Sequence, residues 1–122
     1  METPEILDRM QQAMSSQDAS QVAECFAEDY YCEFPLHPSR TFVGNDQVRK
    51  NWAGLFERVP DHEAHLLRWA PAPGAEAGIW SEWEMVGTTL DGAAHRAGGV
   101  AILTVEGDRV AAARFYLDAA GD

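Results

Sequence analysis

Two histidines near the middle of the chain have the residue type that metal sites use. His62 and His65 flank Glu63 and Ala64, whereas a zinc-binding helix spaces its histidines four residues apart so that both imidazoles reach one ion. On a strand, side chains three residues apart face opposite ways. We therefore expect no metal here, and a solvent-exposed strand start after Pro60.

Two glutamates could form the carboxylate pair of a glycosidase. Glu82 and Glu84 are two residues apart, which puts both on one face of a strand. A glycosidase needs such a pair in a cleft, in two environments that separate their pKa values. We expect them instead on the convex face of a sheet, in ion pairs with Arg68, Arg96 or Arg114.

His37 is the strongest catalytic candidate. It lies between Pro35 and Pro38, in a predicted loop at the rim of the domain, and an imidazole exchanges a proton near neutral pH. The weaker candidates are Tyr30, Tyr116, Ser81 and Asp118.

Composition excludes several function classes. The chain has 122 residues, which suits one domain over residues 1–122, and a net charge of -11, which disfavours nucleic acid and anionic membranes as partners. Serine-hydrolase and nucleotide-binding motifs are absent from the sequence, and we expect no cofactor. Cys25 and Cys32 are interpreted as small buried hydrophobic residues of a cytoplasmic protein.

Hydrophobic spacing and turn residues predict helices followed by strands. A first helix is predicted over 4–16 with Thr3 as its cap, and a short second helix after a capping box at Asp18 carries Val22, Cys25 and Phe26 on one face. A short strand over 30–34 precedes a third helix, which Asn45 caps and which ends before residue 60.

Four longer strands are predicted over 62–70, 77–90, 94–106 and 109–118. Asp91-Gly92 and Gly107-Asp108 form the hairpin turns between the last three, and a segment with Pro73 and Gly74 connects the first two. This order predicts an α+β fold, with helices on one face of a curved antiparallel sheet. On the last strand, alternation directs Phe115 into the concave side and Asp118 to the convex side.

Six short segments occur in the order found in a known superfamily. They are Phe26-Ala27-Glu28-Asp29, Phe34-Pro35, Gly44-Asn45-Asp46, Gly87-Thr88, Gly99-Val100 and Arg114-Phe115-Tyr116-Leu117-Asp118. With the element order, they make nearly the whole chain resemble the nuclear transport factor 2-like, or cystatin-like, superfamily and its SnoaL-like polyketide cyclase group. The resemblance implies a cone-shaped α+β barrel with an apolar pocket between three helices and the sheet.

The catalytic positions implied by this resemblance hold apolar residues. Ketosteroid isomerases use three polar residues, whose positions fall on Phe34, Met10 and Ala101. Limonene-1,2-epoxide hydrolases use an Arg and two Asp, whose positions fall on Trp83, Met85 and Phe115. SnoaL-like cyclases place their base at the last of these. We therefore expect negligible steroid isomerase and epoxide hydrolase activity.

Three functions are compatible with these residues. The first is a domain that binds a small hydrophobic molecule without catalysis, in a pocket lined by Met10, Met14, Phe34, Trp52, Phe56, Trp69, Ser81, Trp83, Met85 and Phe115. The second is an isomerase, cyclase or dehydratase that acts on a polyketide- or steroid-like substrate, with His37 or Tyr30 as the acid or base. The third is a homodimeric interaction module in which core side chains fill the space of the pocket. The sequence therefore leaves open whether the protein is an enzyme.

The predicted convex face mixes aromatic and paired charged residues. Trp80, Val86 and Tyr116 lie there among the glutamates and arginines, a composition that suits an interface. We therefore predict a homodimer packed sheet to sheet.

Overall fold

The computed structural model describes residues 2–72 and 78–119. Three helices and six strands occur in the order α1 Glu5–Met14, α2 Ala19–Glu24, β1 Phe26–Glu33, β2 Phe42–Val43, α3 Asn45–Arg58, β3 Glu63–Pro71, β4 Gly78–Thr88, β5 Ala94–Glu106 and β6 Arg109–Ala119. A 3₁₀ turn, Pro38–Arg40, lies between β1 and β2. The predicted connection through Pro73 and Gly74, and the start of the second long strand at Ala77, lie outside the described residues.

The first two helices begin differently from each other. Pro4, rather than Thr3, occupies the cap position of α1, and no side chain caps this helix, so the predicted Thr3 cap is wrong. Asp18 does cap α2, because its carboxylate accepts a hydrogen bond from the Ser20 N–H at 3.0 Å. Since α2 ends at Glu24, Phe26 belongs to β1 instead of the helix.

The third helix begins after a residue whose backbone conformation favours glycine. Gly44 occupies the cap position with φ +101°, a conformation that residues with a Cβ rarely adopt. Asn45, predicted to cap the helix, instead donates its amide N–H to the Phe26 carbonyl at 3.2 Å and so ties α3 to β1.

Among the described residues, no helix is long and apolar enough to cross a membrane.

The six strands form one open sheet in the order β2-β1-β6-β5-β4-β3. All pairs are antiparallel except β1 with β6, which is parallel. Register shifts with extra residues in β1, β3 and β6 are the bulges that bend and twist such a sheet. The predicted α+β fold, with three helices on a curved, mainly antiparallel sheet, is confirmed.

Strand alternation separates the two faces as predicted. Ser81, Trp83 and Met85 are buried on the concave face, where the helices pack. On the convex face Glu82 lies 2.7 Å from the Nε of Arg68, and Glu84 lies 3.8 Å from Arg96. Both glutamates are therefore in the expected cross-strand ion pairs.

Candidate functional site

A cavity of about 390 Å³ lies between α3 and the concave face of the sheet. Its wall combines aromatic and aliphatic side chains from β1, α3 and the last three strands. Phe34 and Phe115 stack with ring centroids 5.7 Å apart, and Trp52 faces the cavity from α3. The wall is therefore apolar over most of its area, as pockets for small molecules commonly are.

The predicted ligand-binding residues divide into two groups. Five of them line the cavity, together with Tyr30: Met14, Phe34, Trp52, Met85 and Phe115. The other five lie in or against the core outside the cavity wall: Met10, Phe56, Trp69, Ser81 and Trp83. Alternation and helical spacing identified the inward faces, but they could not separate cavity wall from filled core.

The side chain of Ser81 has a structural role. It is 0% exposed, its hydroxyl donates to the Ala101 carbonyl at 2.8 Å, and it accepts the Trp83 indole N–H at 2.9 Å. This chain of hydrogen bonds satisfies two polar groups that burial would otherwise leave unpaired. Trp83 and Ala101 thus occupy two of the expected catalytic positions as structural residues.

Polar side chains gather at the cavity mouth. Arg40, Asn51, Arg58, His95 and Asp118 line it there. Asp118 was predicted to lie on the convex face, and this is corrected. It is the second-last residue of β6, beyond the region that the sheet pairs with β1, and its carboxylate turns to the rim.

His37 pairs with Asp118 at this rim. Its Nε2 lies 2.6 Å from Oδ2 of Asp118, and Arg40 approaches Oδ1 at 3.5 Å. The Ala119 N–H, and then His37, hold the pKa of the Asp118 carboxyl below its usual value. An ionised carboxylate accepts hydrogen bonds, so Nε2 of His37 carries the proton and Nδ1 is left to exchange one.

Tyr30 lies deep in the wall, and it is 1% exposed. Burial raises the pKa of its hydroxyl well above the usual value of 10, with a further contribution from Cys32. The phenol is therefore neutral at physiological pH and suited to donating a hydrogen bond rather than to accepting a proton. Burial likewise raises the pKa of the Cys32 thiol to about 11, and both cysteines are free and buried.

His62 was predicted to be solvent-exposed, and this is wrong. It is 0% exposed and lies against Trp52 and Phe56, with ring centroids 5.3 and 5.9 Å away. Its Nδ1 lies 2.8 Å from the Met14 carbonyl, so Nδ1 carries the proton. Burial lowers the pKa of His62 below 6.5, and in residues 2–72 and 78–119 its Nε2 finds no partner.

Within the part of the chain that the structure describes, no three His, Cys, Asp or Glu side chains cluster closely enough to hold a metal ion.

A sequence profile of the SnoaL-like domain matches residues 7–113. The chain belongs to the SnoaL-like domain family. A search of curated proteins found no match.

Solved structures share the fold of this SnoaL-like domain at low sequence identity. A Catenulispora acidiphila protein with a ketosteroid isomerase-like fold, solved with trimethylamine, has 16% identity and a TM-score of 0.76, over 94% of this chain and 87% of its own. An NTF2-like Exiguobacterium protein of unknown function has 15% identity and a TM-score of 0.73, over 89% of this chain and 94% of its own. A Mycobacterium tuberculosis LEH-like epoxide hydrolase has 17% identity and a TM-score of 0.73, over 93% of this chain and 80% of its own.

Apart from Asp118, a weaker catalytic candidate, the mouth residues of the SnoaL-like domain were missed by sequence reasoning, although a signal existed for some of them. The Asp91-Gly92 turn sets the β4–β5 register, which pairs Ala97 with Met85 and so directs Ala97 and His95 to the concave side. Arg58 follows Leu55 by three residues on α3, and this spacing puts both on one helix face. Arg40 offered no such signal, because a 3₁₀ turn orients it.

Proposed function

We propose that this SnoaL-like domain binds a small apolar molecule in the cavity between α3 and the sheet. The observation that carries the proposal is a cavity of about 390 Å³ whose interior wall is apolar and whose polar groups lie at the mouth. An apolar ligand there gains about 25 cal/mol per Å² of surface removed from water. Met85, Phe34 and Phe115 stand where catalytic relatives are expected to carry polar groups.

A titration with a flat apolar probe tests this proposal. Calorimetry with 2-naphthalenemethanol should show binding to the native protein. Ala97 lines the cavity from β5, so Ala97→Leu fills part of it and should weaken binding by about tenfold. Ala53→Leu adds the same side chain on an exposed part of α3 and should leave binding unchanged. Equal affinity in both variants, or no binding to the native protein, would contradict the proposal.

The His37–Asp118 pair supports a second function, acid–base catalysis at the mouth. A carboxylate 2.6 Å from Nε2 orients the imidazole, and Nδ1 is then the group that would exchange a proton with a polyketide- or steroid-like substrate. For this function, His37→Gln should abolish an isomerase, cyclase or dehydratase activity while 2-naphthalenemethanol still binds. Activity that survives in His37→Gln would reject it.

We also propose that two chains pack sheet to sheet through the convex face. Trp80 lies opposite Ile102, and Val100 lies opposite Tyr116. All four are half-buried and form one apolar patch. Ion pairs surround it, which is the arrangement of an interface with an apolar centre and a polar rim.

A further inference from the structure

The cations of this acidic protein are mostly neutralised by nearby carboxylates. The chain has 20 Asp and Glu against 9 Lys and Arg. Six of the nine basic side chains lie within 4.0 Å of a carboxylate: Arg40, Arg49, Lys50, Arg68, Arg96 and Arg114. In the described part of the chain, the other three, Arg9, Arg58 and Arg109, have no such partner.

Arg58 is such a cation, and it lies at the cavity mouth. Of the two arginines in the cavity lining, Arg40 is held by Asp118. In the ion pairs of residues 2–72 and 78–119, Arg58 has no carboxylate partner. Arg58 is an exposed residue, its guanidinium lies near Gly54, one turn back on α3, and a guanidinium carries five N–H donors.

Two further donors line the same cavity as Arg58. Asn51 lies on the same helix, and its amide oxygen accepts a hydrogen bond from Gln47 at 2.8 Å, which leaves its N–H groups to donate. His95 lines the cavity from β5, and an imidazole offers at least one N–H. The nearby Asp91 belongs to the β4–β5 turn, where its Oδ1 accepts hydrogen bonds from Thr89 and Ala93.

We infer that the ligand is a small carboxylic acid with an apolar body, bound with its carboxylate at Arg58, Asn51 and His95. This inference rests on the proposed function, because the apolar body occupies the same cavity. A carboxylate matches the planar fork of an arginine and forms charge-assisted hydrogen bonds that an alcohol of the same skeleton lacks.

A matched pair of probes tests the inference at neutral pH. Calorimetry with 2-naphthoate and with 2-naphthalenemethanol should show the acid binding about threefold to tenfold more tightly, with a preference that shrinks as salt is added. Arg58→Gln should bring the acid to the affinity of the alcohol, and Arg58→Lys should retain part of the preference. Arg49→Gln removes the same charge from the same helix at its ion pair with Asp46 and should change neither affinity.

Arg58 also lies in the last turn of α3, where a cation stabilises the helix end. Thermal unfolding of Arg58→Gln and Arg49→Gln measures this effect on stability. An unchanged affinity for the alcohol shows that the cavity of Arg58→Gln is intact, which separates the two effects. Equal binding of both probes to the native protein would overturn the inference and leave the apolar cavity intact. A preference that survives Arg58→Gln and disappears in Arg40→Gln would also overturn it. Failure of both probes to bind would instead reject the proposed function.

Discussion

At the residue scale, the polar groups inside this domain are mostly used to hold it together. Ser81 joins the Trp83 indole to the Ala101 carbonyl, and the ring of His62 joins α1 to the segment before β3. In a dry interior, a polar group that loses its partner pays the cost of desolvation without compensation. These residues therefore influence stability more directly than they influence ligand binding.

Ser81→Ala should destabilise the fold by about 1–3 kcal/mol, because it leaves the buried Trp83 indole N–H without its acceptor. Urea unfolding followed by tryptophan fluorescence measures the change. Ser39→Ala, at an exposed position in the 3₁₀ turn, is the matched control and should change the free energy of unfolding by about 0.5 kcal/mol or less. Equal effects of the two variants would show that the hydrogen-bond chain contributes nothing.

His62 should make stability depend on pH near neutrality. Burial lowers the pKa of His62 in the folded state below the usual 6.5, so the unfolded chain takes up the proton first as the pH falls through about 6.5. Stability is therefore full above this pH and declines below it, as the proton favours the unfolded state. Urea unfolding above and below pH 6.5 measures the decline.

The matched variants for this prediction are His62→Gln and His65→Gln. His62→Gln should lose less stability than the native protein over this pH interval. His65→Gln removes an exposed histidine and should decline in parallel with the native protein. A parallel decline in His62→Gln as well would mean that another group causes the pH dependence.

At the scale of elements, one glycine allows two strands to pair closely. Gly99 has φ +142° and lies opposite Leu117 in the β5–β6 register, and a Cβ there would lie 2.1 Å from the Tyr116 carbonyl oxygen. This contact involves backbone on both sides, so no side-chain rotation can relieve it. The neighbouring Gly98 has a milder contact, 3.2 Å from the Trp83 carbonyl oxygen.

Gly99→Ala should therefore cost about 2–4 kcal/mol of stability, from steric overlap and from backbone strain together. Gly98→Ala, one residue away on the same strand, should cost about 1 kcal/mol or less. Thermal and urea unfolding of the two variants provide the comparison. A Gly98→Ala variant less stable than Gly99→Ala would contradict the register between β5 and β6.

Elements with strong periodicity or paired turn residues were predictable from the sequence. The last three strands and the third helix were located because alternation, Asp91-Gly92 and Gly107-Asp108 are local signals. β2 was not predicted, since it has two residues and forms only because β1 offers an edge at Tyr31 and Cys32.

For the candidate site, the sequence predicted which side chains point inward, but it did not predict how deeply each one is buried. It identified Met14 and Met85 as inward-facing, and both line the cavity. It could not show that His62 is buried, because the burial depends on the close approach of 59–62 to β4 at Gly87. A Cβ on Gly87 would lie 2.3 Å from Val59, and no local pattern encodes this contact.

At the scale of the whole molecule, the two faces of the sheet have different compositions. The concave face is apolar under three helices, whereas the convex face carries an apolar patch among ion pairs. A partly exposed apolar patch of this kind on a sheet is typical of a surface that meets a partner.

Sedimentation at micromolar concentration should show a species of twice the 13.5 kDa chain mass. Ile102→Arg puts a charge in the centre of the convex patch and should shift the protein to monomer, because a buried unpaired charge strongly disfavours association. Leu90→Arg, at the exposed turn after β4, is the matched control and should leave the dimer intact. A native protein that sediments only as 13.5 kDa chains would count against the dimer.

A crystal structure of the protein grown with 2-naphthalenemethanol examines ligand binding most directly. We predict electron density for the naphthyl rings inside the cavity, among Trp52, Met85 and Phe115, with the hydroxyl directed to the mouth near Arg58. A cavity closed by protein side chains, or filled by ordered water with the probe bound only on the surface, would contradict the proposal that this domain binds an apolar molecule.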